Sequence, residues 1–164
     1  METRGCNETV FRARWLGELV QTRENLGVLP VRLALATLFL AHGGEKLLAW
    51  FGEPGSSATI SFYRDVLGIP IFWILMGALT EFLSAAAILL GLFVRLAAFS
   101  LSADMLVGLF KVHLPNGFFI NWSLAPNVGH GIEMNLAVLG LTLCLLIGGG
   151  GALSCDRRIA PKPS

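Results

Sequence analysis

Charge is what this sequence has least of. Only 14% of its 164 residues are Asp, Glu, Lys or Arg, where a soluble domain carries roughly a quarter. With 54% hydrophobic residues and a mean hydropathy of +0.69, the apolar excess is too large for a single water-soluble core. A net charge of +1 leaves no basic face to neutralise phosphates, which excludes nucleic acid as a partner. Cysteine is scarce as well: Cys6, Cys144 and Cys155 form no C-x-x-C pair, so neither a thioredoxin-like thiol centre nor a thiolate metal cluster is expected. Cys144 stands in an apolar run and reads as a small packing residue. No cofactor motif is present. A cleavable signal peptide is not expected either, because polar residues 1–27 precede the first apolar run and that run ends in charges.

What the sequence does hold is four apolar runs, at about 29–51, 70–93, 96–113 and 130–149, each near the length a bilayer-spanning helix needs. They predict an all-α membrane protein, a four-transmembrane-helix bundle over 28–151 with tails at 1–27 and 152–164. In the first tail Phe11, Trp15, Leu16 and Leu19 recur at helical spacing, which suits an interfacial helix or a disordered arm. Between the first two runs, Ile60, Phe62, Tyr63, Val66 and Leu67 read as a short amphipathic lid. Phe118, Phe119 and Trp122 in the last connection fit an aromatic belt at a headgroup boundary. Arg4, Arg12, Arg14, Arg23, Arg32, Arg95, Arg157, Arg158 and Lys162 fall on the side of the termini, leaving Lys46, Arg64 and Lys111 on the other. The positive-inside rule then predicts both termini in the cytoplasm of a bacterial inner-membrane protein. Arg32 and Arg95 are expected to snorkel to the near interface.

Within the runs stand residues that hydrocarbon rejects. His42, Glu45 and Lys46 close the first, Glu81 sits midway in the second, Asp104 and Lys111 mark the third, and His130 and Glu133 open the fourth. Intramembrane ionisable groups are site candidates by default, because each must be paired, protonated or open to water. These eight residues form the candidate ligand-binding or buried polar cluster, with no catalytic residue and no metal centre assigned. Spacing of three and four places Gly77, Glu81, Ser84, Ile88 and Gly91 on one face, and His130, Glu133, Ala137, Gly140 and Cys144 on another. Small residues mark faces of close helix approach, so both faces are expected to point into the bundle. Thr80-Glu81 with Ala85 parallels Ile132-Glu133 with Ala137, which suggests a two-fold internal repeat.

The residues Arg32, His42-Gly43 with Lys46, Glu81, Gly91-Leu92 with Arg95, His113 with Gly117-Phe118, Glu133, Gly149-Gly150-Gly151, Ser154 and Asp156 together resemble the DoxX family of small four-helix bacterial membrane proteins. Asp104 and the loop from Phe118 to Gly129 depart from its pattern. The resemblance implies an inner-membrane four-helix protein. Its members are associated with quinone-linked sulfur oxidation, redox-stress complexes, and copper- or peptide-related operons.

Three functional readings stay open at this point. A quinone-reactive membrane subunit of a redox system would use the polar cluster as hydrogen-bond donors and proton carriers, with electrons from a partner protein. A carboxylate-histidine metal site would use His42-x-x-Glu45 and His130-x-x-Glu133, although Glu81 and Asp104 lie deeper than His130. A non-catalytic assembly or docking subunit would use the charges as a salt-bridge lattice, Lys46 with Glu81 or Glu133 and Lys111 with Asp104 or Glu45. The bilayer and a protein partner in a membrane complex are expected. Self-association, and whether the chain itself is catalytic, stay open.

Overall fold

A computed structural model describes residues 17–160 except Glu18, Arg23, Glu53, Pro54 and Asn127. The N-terminal interfacial helix read around Phe11 and Trp15, and Lys162 in the other tail, lie outside the described residues. Among those residues every regular element is helical. Helix α1 spans Val28–Leu48, and α2 spans Gly55–Ser61 and runs into a π turn at Phe62–Val66. Helix α3 covers Ile71–Leu90, and α4 covers Val94–Gly108, prolonged by a π turn at Leu109–His113 and a 3-10 turn at Leu114–Asn116. Helix α5 covers Glu133–Gly148 and the short α6 covers Cys155–Ile159. Among the described residues two stretches are long and apolar enough to cross a membrane, Ile71–Leu90 and Val94–Asn116. Helix α5 is apolar but shorter, and α1 carries Arg32, His42, Glu45 and Lys46 along its length.

The four long helices close a ring: α1 packs on α3 and α5, and α4 packs on α3 and α5. The shared core is Leu35, Ala36 and Phe39 of α1, Ala85 and Ile88 of α3, Val94, Ala98 and Leu101 of α4, and Val138 and Leu145 of α5. Exposed residues on the outside of the ring include Phe72, Trp73, Leu83, Phe99, Leu143 and Ile147. A large apolar exterior around an interior that also buries Arg32, Glu81, Asn135 and Asp156 is the reverse of a water-soluble bundle, and suits a lipid surround.

The second run buries the face expected of it, with Glu81, Ser84, Ile88 and Gly91 all inside. The fourth does not. Ala137, Gly140 and Cys144 are exposed, and α5 instead buries Asn135, Val138, Thr142 and Leu145. The reason is that Thr142 Oγ1 accepts a 2.8 Å hydrogen bond from Ser102 of α4, and Asn135 Nδ2 donates to Met105 O at 3.5 Å. Polar side chains that satisfy each other across the interface outrank small size in choosing the inner face. The repeat match fails at the same place, since Ala85 is buried and Ala137 is exposed.

Gly43 and Gly44 set how closely α1 meets its neighbours. A Cβ at Gly43 would lie 2.8 Å from the Phe82 backbone nitrogen, and one at Gly44 would lie 2.4 Å from the Trp50 ring. The first glycine lets α3 approach backbone to backbone. The second lets Trp50, after the left-handed turn at Ala49, fold back and meet Phe82 edge to face at 5.6 Å. Gly43→Ile is therefore expected to cost about 3 kcal/mol, the upper range for overpacking, because the Phe82 atom it meets is backbone and cannot rotate away. Thermal unfolding in detergent should show the loss, whereas Gly140→Ile, where a Cβ meets nothing within 4 Å, should leave the melting temperature unchanged.

Candidate functional site

Among the described residues two charged groups lie inside the bundle, one toward each end. The first is carried by the His-Gly-Gly-Glu-Lys sequence of α1. Because Gly43 brings α1 against Phe82, Lys46 reaches Glu81, and its Nζ donates to both carboxylate oxygens at 2.6 and 2.8 Å. The side chains are 17% and 5% exposed respectively. Helix α1 thus ends beside the middle of α3. The lid segment follows it: α2 packs on α1, the π turn touches α3, and the Tyr63 ring centroid lies 5.9 Å from Lys46 Nζ. That distance is within reach of a cation–π attraction. Asp104 of α4 adds a second acid, in electrostatic contact with both Glu81 and Lys46. Its room comes from Gly77, where a Cβ would stand 3.3 Å from Asp104 Oδ1.

The other five candidates go elsewhere. His42 is exposed on the outside of α1, and Glu45 turns to the helix end, where it accepts the Phe51 amide at 2.8 Å. Lys111 is exposed and takes no part in the ion pairs expected with Asp104 or Glu45. His130 and Glu133 order the outer loop: His130 Nδ1 accepts the Asn121 amide at 3.2 Å and Glu133 accepts the Ile120 amide at 3.1 Å. His113 Nδ1 meets the His130 carbonyl at 2.8 Å. Among the described residues the buried charge lattice reduces to one bridge, Lys46 with Glu81; the others, Arg64–Asp65 and Arg157–Glu24, are at the surface. No three His, Cys, Asp or Glu side chains among them converge as a metal centre would require. The two histidine motifs open onto different surroundings, so the dimetal arrangement is not assembled.

The second polar group corrects the reading of Arg32. Instead of snorkelling outward it is 2% exposed. Its Nε donates to Ile88 O at 2.9 Å, Nη2 to Leu89 O at 2.8 Å, and Nη1 to Gly150 O and Leu153 O at 2.9 and 2.5 Å. The carbonyls ending α3 are the ones a helix cannot satisfy internally, and a cation there also meets the negative end of the helix dipole. Asp156, 1% exposed, does the converse for α4: its two oxygens accept the Phe93 and Val94 amides at 2.6 and 2.9 Å. Burial pushes the Asp156 carboxyl up, opposed by those two amides and by Arg32 and Arg95. Between them lies Gly91 at φ +70, where a Cβ would strike Arg32 Nη2 at 2.5 Å.

Sequence reasoning placed Tyr63 in the lid but missed it as a neighbour of Lys46, and it missed the Arg32–Asp156 knot. Tyr63 is the single tyrosine of the chain, placed in the amphipathic lid, and that was its signal. The knot had a signal too, in glycines and charged residues gathered at two helix ends.

The DoxX family pattern matches residues 27–114, from the start of α1 through the extension of α4. The inner membrane protein YqjF of Escherichia coli K12 is 30% identical over 140 residues, covering 85% of this chain and 96% of its own length. A protein of Haemophilus influenzae is 27% identical over 132 residues, covering 80% of this chain and 90% of its own. No solved structure matches. With α1 to α4 inside the matched region, and Arg32, Lys46, Glu81 and Asp104 among its residues, this chain is a membrane protein that belongs to the DoxX family.

Proposed function

We propose that the chain is a four-span protein of the bacterial inner membrane, both termini cytoplasmic, acting as the membrane subunit of a redox system. Lys46, Glu81 and Asp104 form the polar end of its site for a small proton-coupled ligand, a quinone being the class that fits. The observation that carries this is charge count. Two carboxylates share one ammonium inside an apolar bundle, so one negative charge is left to be balanced by a proton or by a hydrogen-bonding ligand. A quinone carbonyl on reduction needs such a donor, while its ring and tail need the apolar walls that α3 and α4 supply. Tyr63 lies above Lys46 and roofs the position. With no cofactor motif in the chain, electrons come from a partner protein.

The test is copurification. Protein extracted from membranes in mild detergent should carry quinone near one per chain, and Glu81→Gln and Asp104→Asn should each lower that at least tenfold. Undiminished quinone in both variants removes these residues from the site. Topology is tested separately: a reporter active only outside the cytoplasm should be silent when fused at Ser164 and active when fused in the loop after Gly52. The reverse pattern inverts the orientation.

A second reading is favoured by one feature, the bidentate geometry of Lys46 on Glu81. A pair so well satisfied clamps α1 to α3 without needing a ligand, as a non-catalytic assembly or docking subunit requires.

A further inference from the structure

We propose that Arg95, with the exposed apolar strip of α4 and α5 beside it, binds an anionic phospholipid: its phosphate on the guanidinium and one acyl chain along the strip. Arg95 stands in the first turn of α4 and reaches across to the end of α5, where Nη2 donates to Ile147 O at 2.9 Å. Its Nε is closed to solvent and has no hydrogen-bond partner. Nε itself is shut away from any phosphate, but Nη1 has no partner among the described residues and is not enclosed, so it is the donor a phosphate can meet. The guanidinium has five N–H donors and no acceptor, so one carbonyl leaves most of its capacity unused.

The charges facing it are already committed. Asp156 is near enough to interact with Arg95, but both its oxygens hold the Phe93 and Val94 amides. Arg32 is occupied by four carbonyls, and Arg157 pairs with Glu24 at the surface. Beside this cation runs an apolar strip at helical spacing: Phe99, one turn beyond Arg95, with Leu143 and Ile147 on the facing helix, 62%, 55% and 72% exposed. Arg95 lies at the end of the bundle that holds the knot, which is where a headgroup layer meets acyl chains. A planar guanidinium forks onto phosphate oxygens, and a cation lacking a carboxylate partner favours a lipid whose phosphate is not neutralised by its own ammonium. The inference rests on the membrane placement of the bundle and not on any ligand at Lys46.

The test uses the purified full-length chain in detergent micelles, titrated with phosphatidylglycerol or with phosphatidylcholine of the same acyl chains, bound lipid being counted by native mass spectrometry. Phosphatidylglycerol should bind about fivefold more tightly. Arg95→Gln should reduce that preference to within about twofold, while Arg158→Gln, on the exposed face of α6, should retain it. Equal binding of the two lipids by the unaltered chain, or an undiminished preference in Arg95→Gln, overturns the proposal. So does displacement of phosphatidylglycerol by millimolar inorganic phosphate, which would assign the guanidinium to a free anion. Should Arg95→Gln fail to fold, Arg95→Lys keeps the charge without the fork: a reduced preference supports the proposal, an unchanged one overturns it.

Discussion

Arg32→Ala is expected to be among the two most destabilising of the substitutions considered, with Lys46→Met. Arg32→Ala removes the side-chain donor of the Leu89, Gly150 and Leu153 carbonyls and leaves Ile88 O with the Gly91 amide alone, in a place where little water can replace it. Removing one side of a buried charged hydrogen-bonded group costs about 3–5 kcal/mol. For a chain of this size that lowers the melting temperature on the order of 10 °C. Arg32→Lys should recover less than half of the loss, because a single ammonium cannot reach carbonyls on both α3 and the glycine-rich segment. Asp156→Asn should cost less, as its amide oxygen can still accept one of the two α4 amides. Thermal unfolding of the three variants in one detergent checks the order. A shift of a degree or two for Arg32→Ala would mean that water or detergent headgroups satisfy the carbonyls, and that the knot is a surface feature.

The knot also explains which parts of the sequence were readable. Helices α1, α3, α4 and α5 form where the apolar runs place them, since run length and helical period depend only on neighbours along the chain. The Glu81 face was legible for the same reason: a lone acid at mid-helix, flanked by Gly77, Ser84 and Gly91, had one side to turn to. Which partner each charge would choose was not legible. Lys46 had Glu81 and Glu133 as candidates, and the choice followed from Gly43 admitting the Phe82 backbone, a contact between residues far apart in sequence. Arg32 was misread because snorkelling is the default for an arginine near a span end. The default fails when carbonyls at the end of one helix and in a glycine-rich turn lie within one side chain's reach. The small-residue face of α5 was misread because Ser102 and Asn135 lie on different helices, and nothing local announces that Ser102 meets Thr142 and Asn135 meets Met105.

Lys46→Met and Glu81→Gln should not be equivalent, and the difference separates the two functional readings. Lys46→Met removes the one cation from beside two acids, leaving buried carboxylate with nothing to balance it, and is expected to cost about 3–5 kcal/mol. Glu81→Gln keeps Lys46 with Asp104 still in electrostatic contact, so the loss should be nearer 1–2 kcal/mol, in the range of a lost charged hydrogen bond. The double variant should recover part of the Lys46→Met loss, since the second change deletes the charge that the first left stranded; the coupling expected for a contacting pair is about 1–3 kcal/mol. Stability alone would follow this pattern under either reading. Ligand content would not. If the group binds a quinone, the mildly destabilised Glu81→Gln should lose it as completely as Lys46→Met does, because the hydrogen-bonding carboxylate is gone while the fold persists. If the bridge only clamps α1 to α3, partner assembly should fall in step with melting temperature across all three variants, and Glu81→Gln should be the least affected. A Glu81→Gln protein that melts near the unaltered chain, assembles with its partner and has lost its quinone would assign Glu81 to ligand chemistry; one that keeps its quinone would assign it to the clamp.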